Sequence, residues 1–376
     1  MDDVMYNIKL YNSYRGFLAI IVFIGHLAAT FLYPYFGASG FVPDLFNFLS
    51  TWSVNIFFIL SGYLITYSIL GNISRNGFFK WSDFLISRVA RIYPPFIASI
   101  LLSVLLYWIV FYFNLHGKYS FRLASDLFVI RESFSLAYGE ILDGLLMKGG
   151  LLMVNGALWS LYVEVRIYIL AMLVAVLIKG RVGWLVKLIS AIALYYVSRQ
   201  LMSSSVFVII WGVGAFFYVL HYRNIIWPGI YVNGLFIVAF AVSLYYAFTP
   251  DVFMQNNNTL DGSIATVALS LLLTVIIFVW QIGTGFLHLF HSAADYSYTL
   301  YVVHFPLLLF AFSLTHEAIS ENFQVVKLLA VCVLVFIIIV YAAYWIARYF
   351  EDKGRFEGFI RGLLNIRGTK TMLELR

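Results

Sequence analysis

Apolar residues run through this chain in long unbroken stretches, with the charges confined to the gaps between them. Windows of roughly 20 such residues are the signature of membrane-spanning helices. Ten can be placed, at about 16–35, 51–70, 92–113, 157–178, 183–201, 203–220, 229–249, 262–282, 296–315 and 325–347. The first follows Lys9 and Arg15 and carries no small-residue cleavage site, so it is expected to stay as a membrane helix. One long polar connection, 114–156, separates the third and fourth spans. Its amphipathic stretch from Phe121 to Met147 predicts one or two short helices resting on the membrane face. With no tandem repeat in view, the pattern predicts an all-α integral membrane protein: one polytopic domain over 1–350 and a basic tail over 351–376.

Composition supports that reading. Hydrophobic residues make up 62% of the 376 and charged ones only 11%, less than half the share of about a quarter typical of soluble domains. This excludes a secreted disulfide scaffold, a soluble nucleotide-binding enzyme, a disordered tail and a coiled coil. The net charge of +6 reflects membrane topology and calls for no nucleic-acid partner. With the N terminus inside, inner segments hold 17 of the 24 Lys and Arg and outer loops six, while Arg166 falls within the fourth span. Both termini are therefore expected on the cytoplasmic side, with the basic tail meeting anionic lipid headgroups. The single cysteine, Cys332, sits in an apolar run and reads as packing.

Ionisable groups inside a span are costly and usually face an internal cavity. Arg15 stands at the cytoplasmic edge of the first span, and His26 lies eleven residues on, about 16 Å up the helix and near mid-membrane. The fourth span, entered from outside, carries Trp159, Ser160 and Glu164, the carboxylate at a depth comparable to His26. The second brings Asn55, Ser61 and Tyr63 through the same layer. Arg88 and Arg91, three apart on one helix face at the inner boundary, suit a phosphate-bearing ligand. Taken together these residues describe a path: phosphate-binding cations at the inner mouth, and a histidine and a carboxylate at mid-membrane for proton transfer. Each also has a plainer structural reading, as a buried hydrogen bond, an ion pair or a helix contact. His288 and His291 lack the further ligands a metal needs, so no metal is expected.

Five pieces occur in order: Arg15-x10-His26; Phe57-Phe58-Ile59-Leu60-Ser61-Gly62-Tyr63; Arg88-x-x-Arg91 before Ile92-Tyr93-Pro94-Pro95; Trp159-Ser160-Leu161-x-x-Glu164 with Tyr168; and Tyr298-x-x-Tyr301-x-x-His304-x-Pro306. With them the chain resembles the membrane acyltransferase-3 family, in its stand-alone form without a fused extracytoplasmic domain. The resemblance implies an inner-membrane enzyme that takes an acyl group, often acetyl, from cytoplasmic acyl-CoA to a hydroxyl of a glycan or glycolipid of the envelope. Acyl-CoA would be a donor substrate, and no cofactor would be bound permanently. His26 would be the catalytic histidine with Arg15 its motif partner and Glu164 the essential carboxylate. Arg88 and Arg91 would hold the CoA phosphates. Asn55, Ser61, Tyr63, Trp159, Ser160 and His304 would border the substrate cavity. Ser53 and Asn55 replace a glycine and an acid common in relatives, and Arg166 replaces a commonly uncharged residue.

A sugar hydroxyl is a poor nucleophile at neutral pH, so the expected mechanism has neutral His26 remove its proton as it attacks the thioester, with Glu164 orienting the imidazole. Transfer of the acyl group to His26 itself is the other route. A transporter or flippase of a lipid-linked glycan would share the spans and the buried charges, and a non-catalytic scaffold would leave them without a task. Loop 114–156 is expected to shape acceptor choice.

Overall fold

A computed structural model describes residues 2–37, 40–118, 134, 136–223, 229–247, 260–274, 284–321 and 323–364. Its long helices are α1 (Asp2–Phe31), α2 (Phe41–Asn76), α3 (Trp81–Tyr112), α4 (Leu158–Lys179), α5 (Trp184–Gln200), α6 (Ser205–Tyr222), α7 (Gly229–Ala247), α8 (Leu260–Thr274), α9 (Ser297–Glu321), α10 (Val325–Phe350) and α11 (Lys353–Leu363). A helix thus stands at each of the ten predicted positions. Among the described residues, seven segments are long and apolar enough to cross a membrane, built on α1, α2, α3, α4, α6, α9 and α10. Helix α5, at 17 residues, and the described part of α8, at 15, are shorter than the roughly 20 residues that span a bilayer. The predicted end of the eighth span, 275–282, lies outside the described residues. Outward faces are apolar: Val326, Leu329, Val333, Ile337 and Tyr341 of α10 are all exposed, as lipid contact demands.

Small residues bring the helices together, as expected where lipid tails compete for apolar surface. A Cβ on Gly62 of α2 would stand 1.9 Å from the Trp211 carbonyl oxygen, and one on Gly214 of α6 would stand 1.9 Å from that of Ile59. The two backbones touch there, which no larger residue permits. A second device involves Pro306. Within α9 it has no N–H to give the carbonyl of Val302 four residues back. That oxygen is captured from outside the helix, by Ser99 Oγ of α3 at 2.6 Å and by Asn155 Nδ2 at 2.7 Å, which pins α3, α9 and the segment before α4 to one point.

The expected amphipathic stretch of the 114–156 connection, Phe121 to Met147, falls in part outside the described residues. The described part of the connection holds one short helix, Tyr138–Leu145, and runs back along α3 and α4; residues 119–133 and 135 lie outside the description. Tyr93 donates to the Leu145 carbonyl at 3.4 Å, Tyr162 to that of Gly150 at 2.6 Å, and Arg166 to that of Lys148 at 3.1 Å. Tyr93 is 19 residues, about 28 Å, short of the far end of α3. Irregular backbone is tolerated at that depth only where protein supplies its hydrogen bonds, and these three donors do so. This also accounts for Arg166, which no sequence pattern explained. In consequence α4 starts inside the bundle, and its residues sit deeper than their spacing suggests.

The tail is likewise built into the fold. Arg361 of α11 binds Asp83 of α3 and Glu357 of its own helix, each at 2.9 Å, and Asp83 also holds Lys80 at 3.0 Å. Glu351 accepts from the backbone N–H and hydroxyl of Thr299, at 3.1 and 2.7 Å, and so caps the start of α9. Residues 365–376 lie outside the description.

Candidate active site

Five helices, α1, α2, α3, α4 and α9, converge on a cavity of about 90 Å³. Arg15 enters it from α1, Ser61 from α2, Arg88 and Arg91 from α3, Ser160, Glu164 and Tyr168 from α4, and Ser297, Tyr298 and Tyr301 from α9; the remaining lining is apolar, with Phe57, Phe58, Leu64 and Ile65. All three cationic residues expected at the inner mouth are thus brought together with the carboxylate. Among the described residues no Asp or Glu oxygen lies within 4 Å of any of the three guanidiniums. Arg88 makes one long hydrogen bond, 3.4 Å to Ser87 Oγ, and lies over the Phe84 ring at 5.6 Å; its Nε is buried with no hydrogen-bond partner among the described residues. Three guanidiniums around one cavity against a single lining carboxylate, Glu164, leave an excess of positive charge that suits an anion.

The polar groups along the cavity are hydrogen bonded in series. Ser61 donates to the Tyr168 hydroxyl at 3.1 Å, and Tyr168 donates to Glu164 Oε1 four residues back on the same helix face. Tyr298 donates to the Ile92 carbonyl at 3.1 Å, which ties α9 to the arginine-bearing turn of α3. At the other end Tyr301 gives its single proton to the Ala157 carbonyl at 3.1 Å, so it accepts from Ser160. Tyr168, Tyr298 and Tyr301 went unassigned in the sequence reading. The signal was present: Tyr168 is at i+4 from Glu164, and Tyr298, Tyr301 and His304 recur every three residues on one face of α9.

Of the eleven predicted site residues, six line this cavity: Arg15, Arg88, Arg91, Ser61, Ser160 and Glu164. The other five do not. His26 is eleven residues beyond Arg15, about 16 Å along α1, and faces α9, with Nδ1 2.7 Å from His304 Nε2. His304 in turn is three residues, about 4.5 Å, beyond Tyr301. The two imidazoles therefore form a layer one helical turn past the Ser160–Tyr301 end of the cavity. Glu164 is not at their depth: α4 begins inside the bundle and carries its carboxylate down to the arginines, and Glu164 and His26 share no described contact. Tyr63 turns toward α6, where its hydroxyl meets His221 Nδ1 at 2.9 Å and its ring the edge of Tyr11. Trp159, 39% exposed, leans on Phe207. Asn55, only 1% exposed, lies off the cavity although Val54 and Phe57 beside it line it, and its amide has no hydrogen-bond partner among the described residues. Of the two further histidines set aside as metal ligands, His291 pairs with Ser13 Oγ at 3.3 Å. Cys332 is a free, buried thiol.

A family model described as an acyltransferase domain matches residues 11–348, nearly all of the bundle and every residue of the cavity. The chain belongs to the acyltransferase-3 family. Membership supports an acyltransferase, and with the apolar helices it supports an integral membrane protein. No curated protein and no solved structure matches the chain.

Proposed function

We propose that the protein is an O-acyltransferase of the bacterial inner membrane that moves an acyl group, acetyl in the first instance, from cytoplasmic acyl-CoA to a hydroxyl of an envelope or exported glycan. The observation that carries the reading is the group of Arg15, Arg88 and Arg91 around one cavity, with a single carboxylate, Glu164, in its lining and, among the described residues, none within 4 Å of the three guanidiniums. Guanidinium bound bidentately is a strong partner for phosphate, and a nucleotide held there leaves its pantetheine arm to follow the apolar wall of Phe57, Phe58 and Leu64 toward the histidine layer. Ten spans, with both termini and the arginine mouth on the cytoplasmic side, complete the topology of this proposal.

In the reaction the acceptor hydroxyl attacks the thioester carbon as His26 takes its proton. A carbon–oxygen bond forms, the carbon–sulfur bond breaks, and the proton passes from the imidazolium to the departing thiolate, giving free CoA. Glu164, with Tyr168 donating to it, sets the charge of the donor cavity and holds Ser61 and Tyr168 in line. The acceptor comes from the opposite end of the bundle, past the residues before α4.

The test is purified protein in detergent with radiolabelled acetyl-CoA. Wild type is expected to bind the donor and hydrolyse it slowly without acceptor, and His26→Ala to bind it equally and turn nothing over. A folded wild type with no affinity for any acyl-CoA would overturn the reading and leave glycan transport in its place. Full turnover by His26→Ala would remove the histidine from the chemistry.

A further inference from the structure

Two hydrogen bonds fix the proton positions of the histidine pair. His304 Nδ1 lies 2.9 Å from the Leu300 carbonyl, one turn back on α9. A carbonyl oxygen only accepts, so Nδ1 carries the proton, and in the neutral ring of this fully buried residue Nε2 is an acceptor. His26 Nδ1, 2.7 Å from that Nε2, must then be the donor. The rings are nearly coplanar, at 12° with centroids 5.1 Å apart, so the bond runs in the plane of both. Phe305 meets His26 at 90° and 5.3 Å, and Phe23 covers His304 at 5.6 Å. Ring rotation at His26 is thereby restricted, and its unprotonated nitrogen is Nε2, on the side of the ring away from His304.

We propose that His304 is a positioning residue that selects the Nδ1–H tautomer of His26 and so presents Nε2 as the basic nitrogen. The inference rests on the reading of His26 as the base. It replaces both the expected placement of His304 at the substrate cavity and the expected orientation of His26 by Glu164. When Nε2 takes the proton of the acceptor hydroxyl, the charge of the imidazolium is shared with a hydrogen bond already in place, to a neutral acceptor that needs no rearrangement. The proton then leaves from Nε2 to the thiolate, and His304 keeps its own throughout. Pro306 adds to this geometry: the Val302 carbonyl it frees is held by Ser99 and Asn155, which fixes the turn of α9 that bears His304.

His304→Leu removes the acceptor and keeps an apolar filling, whereas His304→Gln places an amide oxygen where Nε2 was. Acetyl transfer or hydrolysis is measured for both and for His26→Ala, with acetyl-CoA affinity and thermal stability as controls. The expected result is a kcat for His304→Leu lowered about 10- to 100-fold, less than the full 10²–10⁴ that a general base contributes because His26 itself remains, with KM for the donor unchanged and most of the rate restored in His304→Gln. Equal kcat for wild type and His304→Leu, with His26→Ala inactive, overturns the inference and leaves the base assignment standing. Equal losses in both His304 variants that follow a fall in stability also overturn it, since a packing role accounts for them. An active His26→Ala sinks the underlying reading instead.

Discussion

Replacing Arg88 by Gln separates a ligand-binding arginine from a structural one. Among the described residues the guanidinium has no carboxylate within 4 Å; it makes a 3.4 Å contact to Ser87, lies over the Phe84 ring at 5.6 Å, and shares its cavity with Arg15, Arg91 and Glu164. Its charge therefore contributes little to the fold, and its removal relieves repulsion from two neighbours of the same sign. A hydrogen bond from a charged group to phosphate is worth about 1.5–3 kcal/mol, or about 10- to 150-fold in affinity. The prediction is that Arg88→Gln weakens acetyl-CoA binding by that factor, Arg91→Gln by a similar one, and that neither lowers the melting temperature. Binding is followed by calorimetry and stability by intrinsic fluorescence, on the same detergent preparations. High salt should weaken wild-type binding more than that of either variant, because fewer charges remain to be screened. Unchanged affinity in both variants would refute the assignment of the cavity to an anionic donor. Affinity lost together with ten or so degrees of melting temperature would mean that the arginines hold the helices together.

Three further outcomes follow from the packing. Gly62→Leu forces a side chain into a space where even a Cβ meets the Trp211 carbonyl at 1.9 Å, so α2 and α6 must part at a cost of at least about 1–3 kcal/mol; an unchanged melting temperature would show that the helices do not pack there. Asn155→Ala removes the two hydrogen bonds at 2.7 and 3.1 Å that tie the segment before α4 to α3 and α9, and should cost about 1–3 kcal/mol, with Asn155→Asp worse because a carboxylate then faces a carbonyl. His116 stacks on His316 at 4.0 Å at the far end of the bundle, and burial, then the neighbouring His316, lowers its pKa from 6.5 to about 4. The folded state thus binds fewer protons than the unfolded one between these values, so the stability this neutral ring contributes is present above about pH 6.5 and is lost as pH falls toward 4. His116→Phe should flatten the decline in melting temperature over that window, and parallel curves for the two proteins would exclude the effect.

Much of the bundle was legible because its signal is one-dimensional. A run of apolar residues needs no partner to be recognised, and each predicted span has a helix at its place. What the pattern could not carry was depth. For a polar connection the far face is the natural expectation, yet three side-chain donors from the helices, Tyr93, Tyr162 and Arg166, reach carbonyls of its described part between Leu145 and Gly150, far along α3 from that face. No residue in the loop advertises this, since the donors belong to other helices. Every height counted from the start of α4 was shifted by it, and the expected pairing of Glu164 with His26 failed for that reason alone. Asn55, Tyr63 and Trp159 were misplaced for a different one. The helical stretch holding each was identified, but the face it turns to the cavity depends on neighbours such as Gly214, whose closeness to Ile59 fixes how α2 rotates.

That shift in depth changes how the work of the site is divided. With the carboxylate and the histidine at one level, a single catalytic cluster would have to bind the donor, orient the base and meet the acceptor. The geometry instead separates two layers along the bundle axis. Arginines, Glu164 and Tyr168 surround the cavity proposed for the donor, and the Ser160–Tyr301 bond marks its end one turn below the histidines. In the proposed reaction a base set apart from the donor phosphates needs its orienting partner nearby, and His304 of α9 stands in that place at i+3 from Tyr301. The same short stretch of α9, from Tyr298 to Pro306, then lines the cavity, hydrogen-bonds His26 and is anchored through the carbonyl its proline leaves free. The spacing Tyr-x-x-Tyr-x-x-His-x-Pro is what such a stretch requires: aromatic hydroxyls and an imidazole on one helix face, and a proline four residues past the carbonyl that neighbouring side chains must reach.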